Sequence, residues 1–145
     1  MSMTQRFKEE HDHLRALLDA YVDLMGPGTC PQIDEVMRRR LAFATAFRAH
    51  LASEGPELEG LRTGDAAHPV DRLLDDYGTR MRDIMPGYQA LIRDWTPQRL
   101  EADWATYCRA ARAQARRYLD FLAWEDAEIL PLLDQHRDRV SRRSA

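Results

Sequence analysis

The sequence predicts an all-α protein, an antiparallel up-down-up-down four-helix bundle built from a two-helix unit that occurs twice. Apolar residues recur at helical spacing, strand-like alternation never persists, and β-branched residues are few. Gly- and Pro-rich points divide the chain into four long segments, and residues of the two halves match at offsets of 67 and 71 positions. The connections between segments are short, so we expect successive helices to be antiparallel neighbours.

Turn-forming residues set the bounds of the first two helices. Thr4 is expected to cap the first helix, which runs to about residue 25 and ends at Gly26-Pro27-Gly28. The second helix follows Cys30-Pro31 and is expected to kink or end at Gly55-Pro56, because a proline inside a helix removes a hydrogen bond and collides with the previous turn. Residues 57–68 are then expected to form a loop or a short broken helix.

Prolines also begin the two later helices. Pro69 suits the first turn of the third helix, which we expect to run to about residue 85, bend at Pro86-Gly87 and continue to Trp95. Thr96-Pro97 is a capping pair that begins the fourth and longest helix, expected to reach about residue 130. The polar and basic stretch 134–145 is expected to fray.

Composition predicts one soluble domain over residues 1–145. A chain of this length can bury a core, and it is 44% hydrophobic and 31% charged. The net charge of −3 gives no general attraction to nucleic acid or to an anionic membrane. The apolar runs are too short to span a membrane, a signal peptide's apolar stretch is lacking, and two cysteines are too few for a disulfide framework. We therefore expect a cytoplasmic protein without nucleic-acid or membrane partners, and its oligomeric state stays open.

The repeated unit carries a histidine–glutamate motif that is complete only in the first half. The first copy reads Phe47-x-x-His50-Leu51-Ala52-x-Glu54-x-x-Glu57-Leu58, and the second reads Tyr118-x-x-Phe121-Leu122-Ala123-x-Glu125-x-x-Glu128-Ile129. In the segments before each copy, His11 aligns with Gly78. Both histidine positions of the first half are therefore occupied in the second half by residues that cannot bind metal, whereas both glutamates are kept.

Helical geometry places the remaining ligand-type residues on inner faces. At 100° per residue, His50 and Glu54 are one turn apart on a face flanked by aromatic and aliphatic residues. His11 shares the apolar face of the first helix. A polar ligand on an otherwise apolar stripe is how metal sites in bundle cores are built. The other three histidines are expected at the surface: His13, His68 and His136.

This pattern resembles the haemerythrin-like family, also called HHE cation-binding domains. The family signature is His … His-x-x-x-Glu … His … His-x-x-x-Glu, with one ligand cluster per helix of a four-helix bundle, and the resemblance extends from Phe7 to about Leu133. It implies a metal site whose ligands here are His11, His50, Glu54 and Glu125. Members with the full ligand set carry two carboxylate-bridged iron ions and bind oxygen or nitric oxide, or handle iron and peroxide.

The surviving ligands favour one metal ion. Two histidines and a carboxylate with open positions suit non-haem iron(II) that activates oxygen, and manganese or zinc also accept such a set. A second ion would keep only carboxylate ligands, which bind iron(II) weakly. The competing interpretation is structural: buried carboxylates need partners, and Arg15 and Arg82 would neutralise the two glutamates.

The two lost histidines lead to the hypothesis of a substrate pocket. Gly78 costs about 1 kcal/mol in mid-helix relative to alanine, and a larger Phe121 opposite it would conserve volume. Arg82 and Arg117 are predicted to point inward at that level beside Tyr118, where they could hold an anionic small molecule. Simple repacking of an abandoned site, with the arginines paired to acidic residues, is the alternative.

Two classes of function remain open from the sequence. The first is an enzyme, a non-haem iron oxidoreductase that performs oxygen-dependent or redox chemistry on a small molecule. The second is a non-catalytic protein, either a sensor that binds oxygen, nitric oxide or metal, or a metal-free regulatory scaffold. Reversible oxygen carriage is the least expected role, because taking oxygen to bound peroxide draws on two irons.

Overall fold

Helices make up all the regular structure of residues 2–136, the part of the chain that the structure describes. In this computed structural model no strand occurs in that range, so the all-α prediction is confirmed. The helices are α1 (Met3–Val22), α2 (Ile33–Glu59), α3 (Pro69–Asp94), α4 (Pro97–Ala102) and α5 (Trp104–Glu128), and residues 130–136 are helical as well. None of these helices has the length and apolar character needed to cross a membrane.

Side-chain caps explain where three helices begin. Ser2 caps α1, because its hydroxyl accepts a hydrogen bond from the backbone amide of Gln5 at 3.1 Å. The prediction of Thr4 as the cap is therefore wrong. The Nδ1 atom of His68 accepts an amide at 3.1 Å at the start of α3. The hydroxyl of Thr96 accepts an amide at 3.2 Å at the start of α4, which confirms the predicted cap.

Two prolines that were expected to interrupt helices lie inside them. α2 continues through Pro56 to Glu59, and α3 continues through Pro86 to Asp94. Both proline side chains face solvent, whereas Leu58 and Ile84 close to them are buried in the core. Burial of these neighbours offsets the hydrogen bond that each proline removes, since tertiary packing supplies most of the stability of a protein helix.

The last long helix is divided, contrary to the prediction of one helix from residue 97 to about 130. The break is at Asp103, whose φ of −136° and ψ of 60° are not helical. Leu100 before it and Trp104 after it are both buried, so packing anchors α4 and α5 separately. Residues 134–136, expected to fray, are helical, and the rest of the expected polar tail lies outside the described residues.

A layer of buried polar side chains separates two apolar clusters of the core. α1 packs against α2 and α5, and α3 packs against α5. The smaller cluster contains Phe7, Leu58, Val70, Leu74, Ile129, Leu130 and Leu133, and the larger one includes Leu14, Phe47 and Leu122. His11, His50, Glu54 and Glu125 each lie in the chain between a residue of one cluster and a residue of the other. Three helices therefore bring their polar residues to one level.

Candidate metal centre

Four ligand-type side chains meet in this polar layer. They are His11 of α1, His50 and Glu54 of α2, and Glu125 of α5, and each exposes 3% or less of its surface. One ligand atom from each residue lies within 4.8 Å of the other three. The one-turn spacing of His50 and Glu54 places both on the face that α2 presents to α1, while the apolar residues around them drive that face inward.

The separations between the ligand atoms suit one shared ion. The Nε2 atom of His11 lies 3.1 Å from Nε2 of His50, 3.0 Å from Oε2 of Glu54 and 3.4 Å from Oε1 of Glu125. The Nε2 atom of His50 lies 3.0 Å from the same oxygen of Glu54. Ligand atoms about 2.1 Å from a metal stand roughly 3.0 Å apart at right angles and roughly 3.4 Å apart at tetrahedral angles. The four measured separations match these values, and all four ligand atoms lie within 4.8 Å of one another.

The hydrogen atoms in this cluster are too few to give every buried nitrogen and oxygen a hydrogen-bond partner. The Nε2 atom of His11 carries at most one hydrogen, yet a nitrogen of His50 and one oxygen from each glutamate lie within 3.4 Å of it. The Oε2 atom of Glu125 is buried and has no hydrogen-bond partner within residues 2–136. An unsatisfied buried polar atom costs about 1–3 kcal/mol. A cation at the centre would give these lone pairs a common partner, so the donor set fits a metal.

A carboxylate orients the imidazole ring of His11 from the outer side, and another carboxylate lies near the ring of His50 without a hydrogen bond to it. The Nδ1 atom of His11 donates to Oδ1 of Asp126 at 2.6 Å, and Asp126 also accepts a short hydrogen bond from Arg15. The Nδ1 atom of His50 lies 3.5 Å from Oε1 of Glu10, slightly beyond a good hydrogen bond. Outer carboxylates of this kind fix the tautomer of a ligating histidine and make it a stronger ligand. Both rings turn Nε2 towards the cluster.

Burial and neighbouring charge shift the pKa values of the cluster in opposite directions. Burial alone would lower the pKa of His11, but hydrogen bonds with Asp126 and Glu54 outweigh it and raise the pKa to about 9. Burial would raise the pKa of Glu54, yet hydrogen bonds with Glu125 and with both histidines hold it well below its usual value. The pKa of Glu125 is well above its usual value, because burial and the neighbouring Glu54 disfavour its charge. Without a metal, His11 is charged and the two glutamates share a proton.

The expected arginine partners do not neutralise the two glutamates. Arg15 pairs with Asp12 at 3.0 Å and with Asp126. Arg82 is exposed, and its guanidinium donates to the hydroxyl of Thr79 at 3.2 Å. Within residues 2–136, the ion pairs of Glu54 and Glu125 are made with histidine. The structural interpretation of the buried carboxylates, as predicted with Arg15 and Arg82, is therefore wrong.

Tyr77 is a member of the polar layer that the sequence analysis missed. Its hydroxyl donates to Oε1 of Glu54 at 3.0 Å, and its ring packs on Phe121 with the centroids 5.7 Å apart. The offset of 67 aligns Tyr77 with Glu10, which lies beside His50. Each of these two residues precedes the histidine position of its half, and this was the one sequence signal that could have identified them. Asp126, missed as well, follows Glu125 directly and carries no such signal.

Arg117 lines an open surface cavity with Phe121, but Arg82 and Tyr118 are not part of it, so the four residues do not form the predicted pocket. Tyr118 and Phe121 are buried, but Arg82 and Arg117 are both exposed. The guanidinium of Arg117 donates to the backbone oxygen of Asp83 at 2.9 Å. An arginine at the edge of an inward face reaches solvent along its long aliphatic stem, which keeps its charge hydrated. The prediction that these arginines point inward is wrong.

Gly78 is not paired with Phe121. A Cβ atom placed at Gly78 would meet the guanidinium of Arg82 first, with Nη1 at 3.2 Å. The ring of Phe121 packs instead against Tyr77, Tyr118 and Trp124. The hypothesis of compensating volumes at Gly78 and Phe121 is wrong, because the aromatic side chain of Tyr77 takes the place beside Phe121.

The remaining histidines lie away from the centre. His13 and His136 are exposed as predicted, and His68 is half-buried as the cap of α3. Comparisons of the chain with protein-family models, with curated proteins and with solved structures found no match. Inference about function therefore depends on the chemistry of the centre.

Proposed function

We propose that this chain is a haemerythrin-like metalloprotein, a single up-down-up-down bundle with a repeated helix pair that holds one non-haem iron ion. The proposed ligands are His11, His50, Glu54 and Glu125. One observation carries the proposal: two imidazole nitrogens and two carboxylate oxygens converge in a buried layer, all within 4.8 Å of one another and with four of the separations at 3.0 to 3.4 Å. Mixed imidazole and carboxylate ligation suits iron(II), and manganese and zinc are the other candidates.

The second half of the repeat supports one ion over two. Gly78 has no ligand atom in its side chain, and Phe121 places an apolar ring where the first half has a histidine. The rings of Phe121 and Tyr77 pack together beside Glu54. A second ion there would lack nitrogen ligands and would displace apolar packing.

The chain's own residues would set the properties of such a centre. Iron in this ligand set supplies one-electron redox chemistry and open positions for oxygen or nitric oxide. Tyr77 binds one oxygen of Glu54 and leaves the other directed at the histidines. Asp126 holds His11, and the ring of Phe7 lies edge-on to His50 with the centroids 6.0 Å apart, which helps to exclude water. We propose oxygen-dependent or redox chemistry on a small molecule as the activity.

The burial of the centre favours a second candidate function. Each proposed ligand exposes 3% or less of its surface, so a diatomic molecule reaches the centre more easily than a larger substrate. A protein that binds oxygen or nitric oxide as a sensor, without turnover, would need no more access than this.

Metal analysis of protein purified without chelators, and again after anaerobic loading with iron(II), manganese(II) or zinc(II), tests the proposal. We expect one equivalent of metal in the wild type and in His13→Ala, and almost none in His11→Ala or His50→Ala. His13 is an exposed histidine two residues from His11 on the same helix, so it is a matched control. Far-UV circular dichroism of each variant checks that helicity is kept.

Absence of metal from the loaded wild type would contradict the proposal, and two equivalents would contradict a single-ion centre. For the iron-loaded protein, oxygen uptake beyond one equivalent with an added reductant supports an enzyme. Stoichiometric nitric oxide binding without such turnover supports a sensor.

A further inference from the structure

A second candidate site is a cavity in the larger apolar cluster, next to the metal layer. Residues of α1, α2, α3 and α5 line it, among them Leu18, Phe43, Phe47, Ile84 and Tyr118. The rings of Phe47 and Tyr118 are in contact, with centroids 4.8 Å apart. Phe47 precedes His50 by about one helical turn, so it separates the cavity from the polar layer.

Two polar groups in this cavity lack the partners that burial demands. Arg40 is half-buried, and within residues 2–136 it forms no ion pair; Nη1 donates to the backbone oxygen of Trp95 at 2.8 Å. Tyr21 also lines the cavity and is 4% exposed, and its buried hydroxyl has no hydrogen-bond partner among the described residues. Tyr88 also lines the cavity, and it lies close to Arg40.

The guanidinium of Arg40 and the hydroxyl of Tyr21 make this apolar cavity suitable for an anion. A half-buried guanidinium without a carboxylate lacks compensation for the water it has lost, and burial lowers the pKa of Arg40. The buried hydroxyl of Tyr21 has a hydrogen to donate and nothing to accept it. A carboxylate between Arg40 and Tyr21 would meet both needs at once, whereas an ammonium group would be repelled by the guanidinium.

A groove between α2 and α3 gives access to the cavity. The groove and the cavity share Phe47, Tyr88 and Ile92, and the groove also has Arg48 and Arg93 at its sides. The cavity has a volume of about 30 Å³, and the groove has a volume of about 290 Å³. The cavity therefore has room for a head group of roughly two water molecules in size, and the rest of a longer ligand would lie in the groove.

We propose that the cavity and the groove together bind a small amphipathic carboxylate, with the carboxylate held in the cavity by Arg40 and Tyr21 and a short hydrocarbon body lying in the groove against Phe47 and Tyr88. Binding at this site uses none of the proposed metal ligands, so it does not depend on the proposed metal function.

Calorimetric titration of the full chain with hexanoate, hexan-1-ol and hexylamine tests this proposal. The three probes share a chain length and differ in their head groups. We expect hexanoate to bind roughly tenfold or more tightly than the other two, because a charge-assisted hydrogen bond to the half-buried guanidinium of Arg40 is lost with either of them. The result should be the same for metal-free and metal-loaded protein.

Matched variants locate the site. Arg40→Gln should weaken hexanoate binding roughly tenfold or more, and Tyr21→Phe should weaken it by a smaller factor. Arg38→Gln is the control: it removes the same charge two residues away on α2, from a side chain that is 74% exposed and paired with Glu35. Hexanoate binding to Arg38→Gln should equal that to the wild type.

Failure of hexanoate to bind the wild type would overturn the proposal and leave water as the occupant of the cavity. Equal binding of hexanoate and hexan-1-ol, or unchanged binding to Arg40→Gln, would show apolar filling without carboxylate recognition and would also overturn it. If Arg40→Gln does not fold, Tyr21→Phe and the three probes on the wild type decide the question. Loss of metal binding in His50→Ala with hexanoate binding kept would separate this site from the metal centre.

Discussion

Replacement of Asp126 by asparagine tests whether an outer carboxylate controls the metal centre. The Oδ1 atom of Asp126 lies 2.6 Å from Nδ1 of His11, and the side chain also pairs with Arg15. Burial would raise the pKa of Asp126, but the hydrogen bonds with His11 and Arg15 hold it below its usual value, so the group is a carboxylate at neutral pH. The substitution Asp126→Asn keeps the size of the side chain and one acceptor atom, and it removes the charge.

The geometry sets the size of the expected effect. His11 is fully buried and Asp126 is 23% exposed, so solvent screens their hydrogen bond only in part. Removing an outer-shell partner typically weakens metal binding 10- to 100-fold, which corresponds to about 1.4–2.7 kcal/mol. A hydrogen bond to a charged group contributes about 1.5–3 kcal/mol, which agrees with that range. We therefore expect the dissociation constant of Asp126→Asn for metal to rise roughly 10- to 100-fold.

Competition with a chromophoric chelator at pH 7 measures this constant. Asp12→Asn is the control, because Asp12 loses the same charge and also pairs with Arg15, at 3.0 Å, but is 58% exposed and is not a hydrogen-bond partner of His11. Unchanged affinity in Asp126→Asn would refute the reasoning. Equal weakening in both variants would show that net charge or the Arg15 pairing, and not the contact with His11, is responsible.

Three further predictions concern protonation, the buried phenol and the mid-helix glycine. Metal affinity should rise with pH up to about 9, by roughly tenfold per pH unit, because metal displaces a proton from His11. The rise should be steeper where Glu125 must also lose its proton. Chelator competition at pH 6, 7 and 8 measures the slope. Tyr77→Phe should lower the free energy of unfolding of the metal-free protein by about 1.5–3 kcal/mol in urea, because it removes the 3.0 Å hydrogen bond to the carboxylate of Glu54. Gly78→Ala should raise the midpoint of thermal unfolding, with a gain of about 0.5–1 kcal/mol in helix stability, because the added methyl meets only the flexible end of an arginine side chain.

Each of these predictions has a result that would contradict it. Affinity that does not change between pH 6 and 8 would mean that metal displaces no proton from His11. Tyr107→Phe is the control for Tyr77→Phe, since the buried hydroxyl of Tyr107 has no hydrogen-bond partner in the part of the chain that the structure describes. Equal effects of the two tyrosine variants would rule out the hydrogen bond to Glu54 as the cause. A destabilised Gly78→Ala would mean that the helix has no room for the methyl group.

The sequence alone was enough to predict the helical class and the inward direction of four polar residues. Helical periodicity is a local property, so the face that carries His50 and Glu54 follows from the apolar residues one turn away. The same argument places His11 and Glu125 on the inner faces of their helices, and the structure brings all four side chains into one layer. Their role as metal ligands stays a prediction.

Only the tertiary structure decided what surrounds those four residues. Pro56 lies within α2 because burial of Leu58 outweighs the local cost of the proline, and a local rule does not include that burial. Arg117 was predicted to point inward from its helical phase, but its long side chain extends to solvent. Tyr77 and Asp126 reach the layer through hydrogen bonds to residues 23 and 115 positions away in the chain. Contacts at such separations depend on how the helices pack, whereas the periodicity of the sequence sets only which face of each helix is apolar.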